Sequence, residues 1–537
     1  MRKFGFLAIL PIVGVIAVPG CGKRVVDNSD PTKAQLTIAT FDGGVGDKWL
    51  TDAARKFEEM YPDGSEFEAG KTGGVQIHIT KVRYTGNYML DTSMLYDMYF
   101  TEGIDYYAMT NRNKFEEITD ILMEENPDDG GKRIIDKIDD NLKNYMNREN
   151  KYFAVPFYDC IYGLVYDKDL FLKKKLYLKD DGTTFTNNPA DFGKGPNNVA
   201  GDWDDGLPKT YKQFESLLSN MRTKNVIPFT FCNDTELGKY ASRMLLSYWS
   251  DDEGLENTTL NYTFNGTASR IISDFDGNGK PITESAEINK TNGYLLKKQA
   301  GVYNALKFAD EILCSTTDNY LPSADVYTAQ DSFVVNKWKD GEYPVGMLIE
   351  GTWWQNEAVN SFKRAKKLGA DSFNYGLMPI PKSSDDKVGE DAVFLNQNES
   401  YGFIKKGTSH MKLAKAFFKY LHTDEQLRQF TLTTGMTRGL SYTMSEEEMA
   451  DLSSFTKDLI NIKQSEKVKL VYPRSGLNYV IDAAKFFDPE TWVWGAGQLG
   501  SNPVTKFMTT KTTARQYYDA HVNAFTAAQW ANIIKNH

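Results

Sequence analysis

LTIATFDGGVGDKWLTDAARKFEEMYP, residues 36–62, decides the fold class, because three kinds of local structure follow one another in it without overlap. LTIATF (36–41) is a short apolar run of strand length. DGGVG (42–46) holds three glycines in five residues, so neither strand nor helix continues through it. In DKWLTDAARKFEEMYP, Leu50, Ala53, Ala54, Phe57, Met60 and Tyr61 recur at helical spacing on one face, and Pro62 follows the end. Strand, glycine loop and helix are then followed by VQIHITKV (75–82), which alternates, and by MLYDMYF (94–100), a third strand before a turn at Thr101, Glu102 and Gly103. Strands alternating with helices predict an α/β lobe with a largely parallel sheet.

Further along, KYFAVPFYDCIYGLVYDKDLF (151–171) reads as extended chain on both sides of Pro156, as a long strand passing from one sheet to another would. PKTYKQFESLLSNMRTKNVIPFTF opens a second α/β series, with Thr210 and Gln213 at capping-box spacing and Phe214, Leu217, Leu218 and Met221 as the buried stripe. Residues 179–208 and about 251–293 interrupt the series as insertions. YPVGMLIEG is a strand that runs into the adjacent Trp353 and Trp354 of GTWWQNEA. On regular extended chain, neighbouring side chains face opposite ways, so one indole requires a second use outside the core it flanks. No period of 20 to 50 residues repeats, which excludes a solenoid.

With 537 residues the chain exceeds what one hydrophobic core serves, so at least two lobes are expected. A net charge of −10 argues against phosphate-backbone binding and hence against a nucleic-acid partner. The start, MRKFGFLAILPIVGVIAVPGC, pairs Arg2 and Lys3 with an apolar stretch from Phe4 to Val18, the layout of a secretory signal and short for a spanning helix. Gly20 before Cys21 resembles a bacterial lipoprotein cleavage box, in which the cysteine becomes the lipidated first residue. On that reading 1–20 is the signal peptide and the polar 21–34 a lipidated tether. Cys160, Cys232 and Cys314 remain, and an odd, sparse set makes no disulfide framework and allows at most one bridge.

Taken in order, these segments resemble family 1 of the extracellular solute-binding proteins of ABC importers, the maltose-binding-protein-like group. The resemblance rests on LTIATFDGGVGDKWLTDAARKFEEMYP, AVPFYDCIYGLVYDKDLF, PKTYKQFESLL, VGMLIEGTWWQNEA, YGLMPIPKS, YGFIKKGTSHMKLAKAFFKYLHTDEQLRQF and TTGMTRGL, and covers about 36–530. It implies a type II periplasmic-binding-protein-like fold: two α/β lobes with a ligand cleft between them. Lobe 1 would hold 35–157 with 402–437, lobe 2 161–395 with 440–537, and the crossovers would lie at 158–160, 396–401 and 434–438. It implies a carbohydrate ligand, an oligosaccharide above all, delivered to ABC permease subunits by a protein anchored on the extracellular face of the membrane. Peptide-like and other small solutes stay open.

The resemblance also implies the site. Trp353 would stack on a sugar ring, with Trp354 beside it; an indole face suits the C–H face of a pyranose. Glu350 would accept a hydroxyl. Gly43, Gly44, Glu102 and Gly103 lie at the ends of lobe 1 strands, where ligands of open α/β sheets bind. Tyr158 and Asp159 would face the cleft, and Glu399 and Arg438 would be ligand or hinge contacts. Trp492 and Trp494 are lesser aromatic candidates. No cofactor is required, although DFDGNG places Asp274, Asp276 and Asn278 at positions 1, 3 and 5 of an EF-hand-like loop, a candidate structural calcium site whose twelfth position is Ser285. The alternative there is a plain Asp/Asn/Gly turn.

GGVGDKW lacks the Gly-Lys-Ser/Thr that a phosphate loop needs, and the five histidines fall in no metal-ligand spacing. The expectation is therefore a binding protein and not an enzyme. Two other readings stand beside it: a surface glycan-binding lipoprotein without a transporter, and a secreted glycosidase with Asp159 and Glu350 flanking the bond.

Overall fold

The computed structural model describes residues 29–83, 89, 93–232, 237–339, 343–397, 400–472 and 489–535. Cys21, the apolar start and Glu399 lie outside the described residues. The chain opens with β1 (Ala34–Phe41), α1 (Lys48–Met60), β2 (Val75–Val82), β3 (Met98–Thr101) and the two-residue β4 (Val155–Pro156). It continues through β5 (Tyr162–Asp167), the hairpin of β6 (Tyr177–Leu178) and β7 (Phe185–Thr186), α2 (Tyr211–Thr223) and β8 (Ile227–Cys232). Next come α3 (Lys239–Thr263), the hairpin of β9 (Gly266–Phe275) and β10 (Pro281–Ile288), β11 (Tyr320–Ser323), α4 (Val326–Val335) and β12 (Val345–Gly351). The short α5 (Trp354–Glu357) and β13 (Tyr375–Leu377), β14 (Ala392–Leu395) and β15 (Tyr401–Ile404) follow. Then come α6 (Met411–Leu421), α7 (Asp424–Thr434), α8 (Ser454–Gln464) and β16 (Val468–Val471).

Two five-stranded sheets organise two lobes. The first has the order β2-β1-β3-β15-β4, the second β11-β8-β12-β5-β13. Each is parallel on one side only. β1 runs parallel with β2 and β3, whereas β15 is antiparallel to both its neighbours. In the second sheet β8 is parallel to β11 and β12, while β5 opposes β12 and β13. The expectation of largely parallel sheets is corrected in this respect. A strand that arrives from the other lobe enters from the far end, and so runs against the strands already laid down.

The cores follow from the side chains. Trp49, Leu50, Ala53, Ala54 and Phe57 of α1 are buried as their spacing predicts, but Met60 is exposed. Trp49 packs against Phe100, Phe157 and Phe430 at ring separations of 5.2 to 5.5 Å, joining α1 to β3, the first crossover and α7. α7 is capped by Thr423 and ends on Gly435, whose φ of 69° is a left-handed conformation that glycine adopts without strain. In lobe 2, α2 begins at the predicted Thr210 cap and buries Phe214, Leu217, Leu218 and Met221. α3 breaks at Gly254, whose φ of 76° and ψ of 170° are not helical, so the insertion expected at about 251–293 holds the second helical segment to Thr263 and the β9–β10 hairpin. Among the described residues, Cys160, Cys232 and Cys314 form no disulfide, and no helix is long and apolar enough to cross a membrane.

Chain passes between the two sheets at 157–161, between β14 and β15, and after α7. The single long strand read across 151–171 is instead two strands separated by irregular chain. The passages are tied to one another. The Phe157 amide donates to the Ser400 carbonyl, Asp159 to Thr437, and Gln397 to Cys160 (all 2.9 Å). Tyr158 and Arg438 form an isolated antiparallel bridge.

Candidate functional site

The site is built where the strand ends and crossovers of both lobes converge. β12 delivers Glu350 and Gly351, and the chain then turns sharply into α5, so Trp353 and Trp354 separate. Trp354 is fully buried among Phe333, Phe362, Tyr375 and Phe455, with ring centroids 5.1 to 5.8 Å away. It is core, which corrects its assignment as a ligand contact. Trp353 keeps partial exposure. Its ring lies over Gly351, where a Cβ would fall 2.1 Å from Cη2, so only glycine leaves the space. Tyr162 and Tyr240 meet it edge-on, with centroids at 5.2 and 6.5 Å. From the other lobe comes the 42–46 loop: a Cβ on Gly44 would stand 2.8 Å from Trp353 Cβ. Gly44 thus touches the indole across the cleft, while Gly43 sits against Phe41 of its own lobe.

Around this contact lie three carboxyls. Glu350 is 1% exposed; its Oε1 accepts the Gly351 amide at 2.9 Å, and its Oε2 has no hydrogen-bond partner among the described residues. Burial, then the charge of Glu357, pushes its carboxyl well above the ordinary value. Glu357, one turn after Trp353 on α5, accepts from the Gln330 amide at 3.2 Å. Burial raises Glu357 to about 7; Gln330 and Trp353 pull it down, and Glu102 of the opposite lobe pushes it up. Glu102 accepts a short hydrogen bond from the Tyr158 hydroxyl, and burial still holds it at about 7. An unpartnered buried oxygen is costly, so this arrangement is primed to accept hydroxyl or other polar hydrogens from a solute.

Two other expected contacts lie elsewhere. Asp159 is 2% exposed and spends both oxygens on the hinge: Oδ1 accepts from Asn396 Nδ2 (2.8 Å) and Tyr472 (3.3 Å), Oδ2 from Thr437 (2.8 Å) and Lys463 Nζ (2.6 Å). It ties the three passages together and has nothing left for a ligand. Arg438 is fully buried, its guanidinium 5.1 to 5.7 Å from the rings of Phe430, Trp49 and Phe157 and 3.1 Å from His422 Nε2. It is a lobe 1 core cation, and burial lowers it to about 10. Trp492 and Trp494 are likewise buried, their indole N–H groups donating to Asn261 and Ser242. Asp274, Asp276 and Asn278 belong to the exposed end of the β9–β10 hairpin, where Asp276 accepts the Asn278 and Lys280 amides at 2.8 and 2.9 Å.

Sequence reasoning missed Glu357, Gln330, Tyr162 and Tyr240. The signal for Glu357 was present, since it lies in GTWWQNEA at helical spacing from Trp353; the other three come together only through tertiary structure. A cavity of about 490 Å³ lies elsewhere, beside the third crossover, lined in part by Lys137, Asp139, Ser441 and Lys463. Its lysines are engaged, Lys137 with Asp129 and Asp424 and Lys463 with Asp159. The cleft carboxyls have no such counter-charges among the described ion pairs, which makes the cleft the stronger candidate.

A family model described as bacterial extracellular solute-binding protein matches residues 92–427. No curated protein shows significant similarity to the chain. Among solved structures, the raffinose complex of the solute-binding protein RafE is 13% identical with a TM-score of 0.54, covering 93% of this chain and 99% of its own. The GacH receptor of Streptomyces glaucescens, solved unliganded and with acarbose, gives 13%, 0.55, 94% and 99%. A chitin oligosaccharide binding protein gives 12%, 0.54, 94% and 99%. At these identities the likeness shows the fold: the two-lobed type II architecture of periplasmic binding proteins.

Proposed function

The chain belongs to the bacterial extracellular solute-binding protein family, and we propose that it is the capture subunit of an ABC importer for a carbohydrate, an oligosaccharide above all. The observation that carries this reading is the meeting of Trp353 with the Gly44 loop of the opposite lobe, beside the buried Glu350 and the half-buried Glu357 and Glu102. A flat apolar face flanked by hydrogen-bond acceptors matches the two surfaces of a sugar ring. The oligosaccharide ligands of the structural neighbours support the same solute class. Closure of the lobes around solute would present a form that permease subunits recognise.

The glycosidase reading loses its pair, because Asp159 is consumed by hinge contacts. An oligosaccharide panel, scored by the rise in melting temperature, tests the proposal. Stabilisation by one or a few sugars, with no release of reducing ends, is the expected result. No response across the panel, or steady hydrolysis, would overturn it. Adjacent permease genes would separate importer from adhesin. We further propose diacylation at Cys21 and retention on the extracellular face of the membrane, motivated by Gly20-Cys21 after the apolar stretch. Cys21→Ser should release the chain or leave it unprocessed; normal cleavage with unchanged retention would count against lipidation.

A further inference from the structure

The insertion at 179–208 contains little regular structure beyond the β6–β7 hairpin, yet it folds tightly on itself. The Leu178 amide donates to the Gly206 carbonyl, Gly193 to Leu178 and Gly206 to Gly193, at 2.6 to 2.9 Å, closing 193–206 into a loop. Inside it, GDWDDG brings one carboxylate oxygen each from Asp202, Asp204 and Asp205 within 4.8 Å of one another. Among the described residues, no other group of three or more His, Cys, Asp or Glu converges in this way.

Three carboxylates this close repel unless something offsets them, and no lysine or arginine of the described residues pairs with any of them. Lys209, the nearest lysine in sequence, is committed to Asp180, and Lys194, inside the loop, pairs with none of the three. The decisive feature is Asp204. It is 1% exposed, its Oδ2 accepts the Asn197 amide at 3.2 Å, and its Oδ1 has no hydrogen-bond partner. Asp205, half-buried, has its Oδ2 on the Gly201 amide at 2.6 Å and its Oδ1 unpartnered. Asp202 is exposed, accepts from Asn197 Nδ2 at 2.6 Å and the Asp204 amide at 3.3 Å, and leaves the solvent side open. Gly195 is required beside them, since a Cβ there would fall 2.3 Å from Asp204 Oδ1. A carboxylate oxygen withdrawn from water without a donor is strongly disfavoured unless an ion or proton completes it.

We propose that Asp202, Asp204 and Asp205 form a divalent-cation site, with calcium as its ion, that locks the 193–206 loop closed on itself. The donors are all oxygen, which selects hard cations. Three carboxylates with room for waters suit calcium, which takes many oxygen ligands in variable geometry, better than magnesium, which is usually held by one or two carboxylates in a tight octahedron. Waters on the Asp202 side would complete the shell. The Pro196 carbonyl accepts the Gly389 amide at 2.8 Å, so ordering this loop also fixes the segment that leads into β14. The site is separate from the β9–β10 hairpin, where Asp276 uses its carboxylate on the turn's own amides.

The test is calorimetric titration of CaCl₂ into the chelator-stripped full chain, paired with terbium luminescence excited through tryptophan, because Trp203 lies between two of the ligands. One equivalent of calcium should bind and displace terbium. Asp202→Asn and Asp205→Asn should each weaken it at least about tenfold while circular dichroism stays unchanged; Asp276→Ala should not. Trp203→Phe should dim the terbium signal and leave calcium binding in place. Absence of calcium binding overturns the proposal. So does wild-type affinity in the Asp202 and Asp205 variants, or loss of the site in Asp276→Ala alone, which would place the ion at the hairpin. Asp202 is exposed, so its variant remains informative should Asp205→Asn fail to fold.

Discussion

Two adjacent tryptophans have opposite surroundings, and that difference is measurable at the scale of single residues. Trp354 fills an aromatic pocket and its removal leaves a cavity, so Trp354→Ala should cost about 3–5 kcal/mol in denaturant unfolding. Ligand affinity of the folded fraction should change little. Glu357 gives a second test. Its carboxyl stands at about 7 in the folded chain against an ordinary 4.5. Between those values the native state holds the proton more tightly than the unfolded chain, so its contribution to stability is complete below about 4.5 and is lost as pH rises through 7. The melting temperature of the ligand-free chain should therefore fall across that window, and less steeply in Glu357→Gln. An identical slope in the variant would show that the carboxyl is not held as described. At this scale the sequence was informative where a residue type fits one use. Trp353, Glu350, Glu102 and Tyr158 do converge. Asp159 and Trp354 were misplaced as ligand contacts, and Arg438 took the hinge place of its two expected ones, because proximity to a crossover or a strand end does not say which way a side chain points.

Among elements, the crossovers carry the most consequence. Asp159, in the passage at 157–161, holds Asn396 after β14 and Thr437 after α7, and Lys463 of α8 neutralises it from a largely buried position. Removing one partner of such a pair strands the other charge, so Asp159→Ala should destabilise the chain by about 3–5 kcal/mol. Adding Lys463→Met should recover part of that loss. A strictly additive double variant, measured by urea unfolding, would mean that the two residues are not coupled. Strands and helices with strong periodicity were legible: β1, α1, β2, α2 and β12 occur where the pattern placed them. The long strand across 151–171 was not, because five consecutive buried residues, Phe157 to Ile161, look the same in a strand and in a crossover whose amides bond outside a sheet. Antiparallel entry of β5 and β15 was hidden for a related reason, since strand direction depends on which lobe the chain comes from.

For the whole molecule, the order of segments conveyed the two-lobed architecture long before any contact was known, because a strand, glycine loop and helix recur in a family-specific sequence of pieces. Lobe-to-lobe contact was not legible. Gly44 and Trp353 are more than 300 residues apart, and the family resemblance set them in one cleft without indicating that they touch. The central claim is that a solute is held between these surfaces with Trp353 as its main anchor in lobe 2. Calorimetric titration of the best-stabilising oligosaccharide into wild type and Trp353→Ala tests it most directly. Loss of a buried aromatic anchor costs at least about 2 kcal/mol, roughly thirtyfold in Kd. The account predicts that loss in a variant whose circular dichroism and melting match wild type. Wild-type affinity in a folded Trp353→Ala would contradict it and move the binding surface away from the cleft.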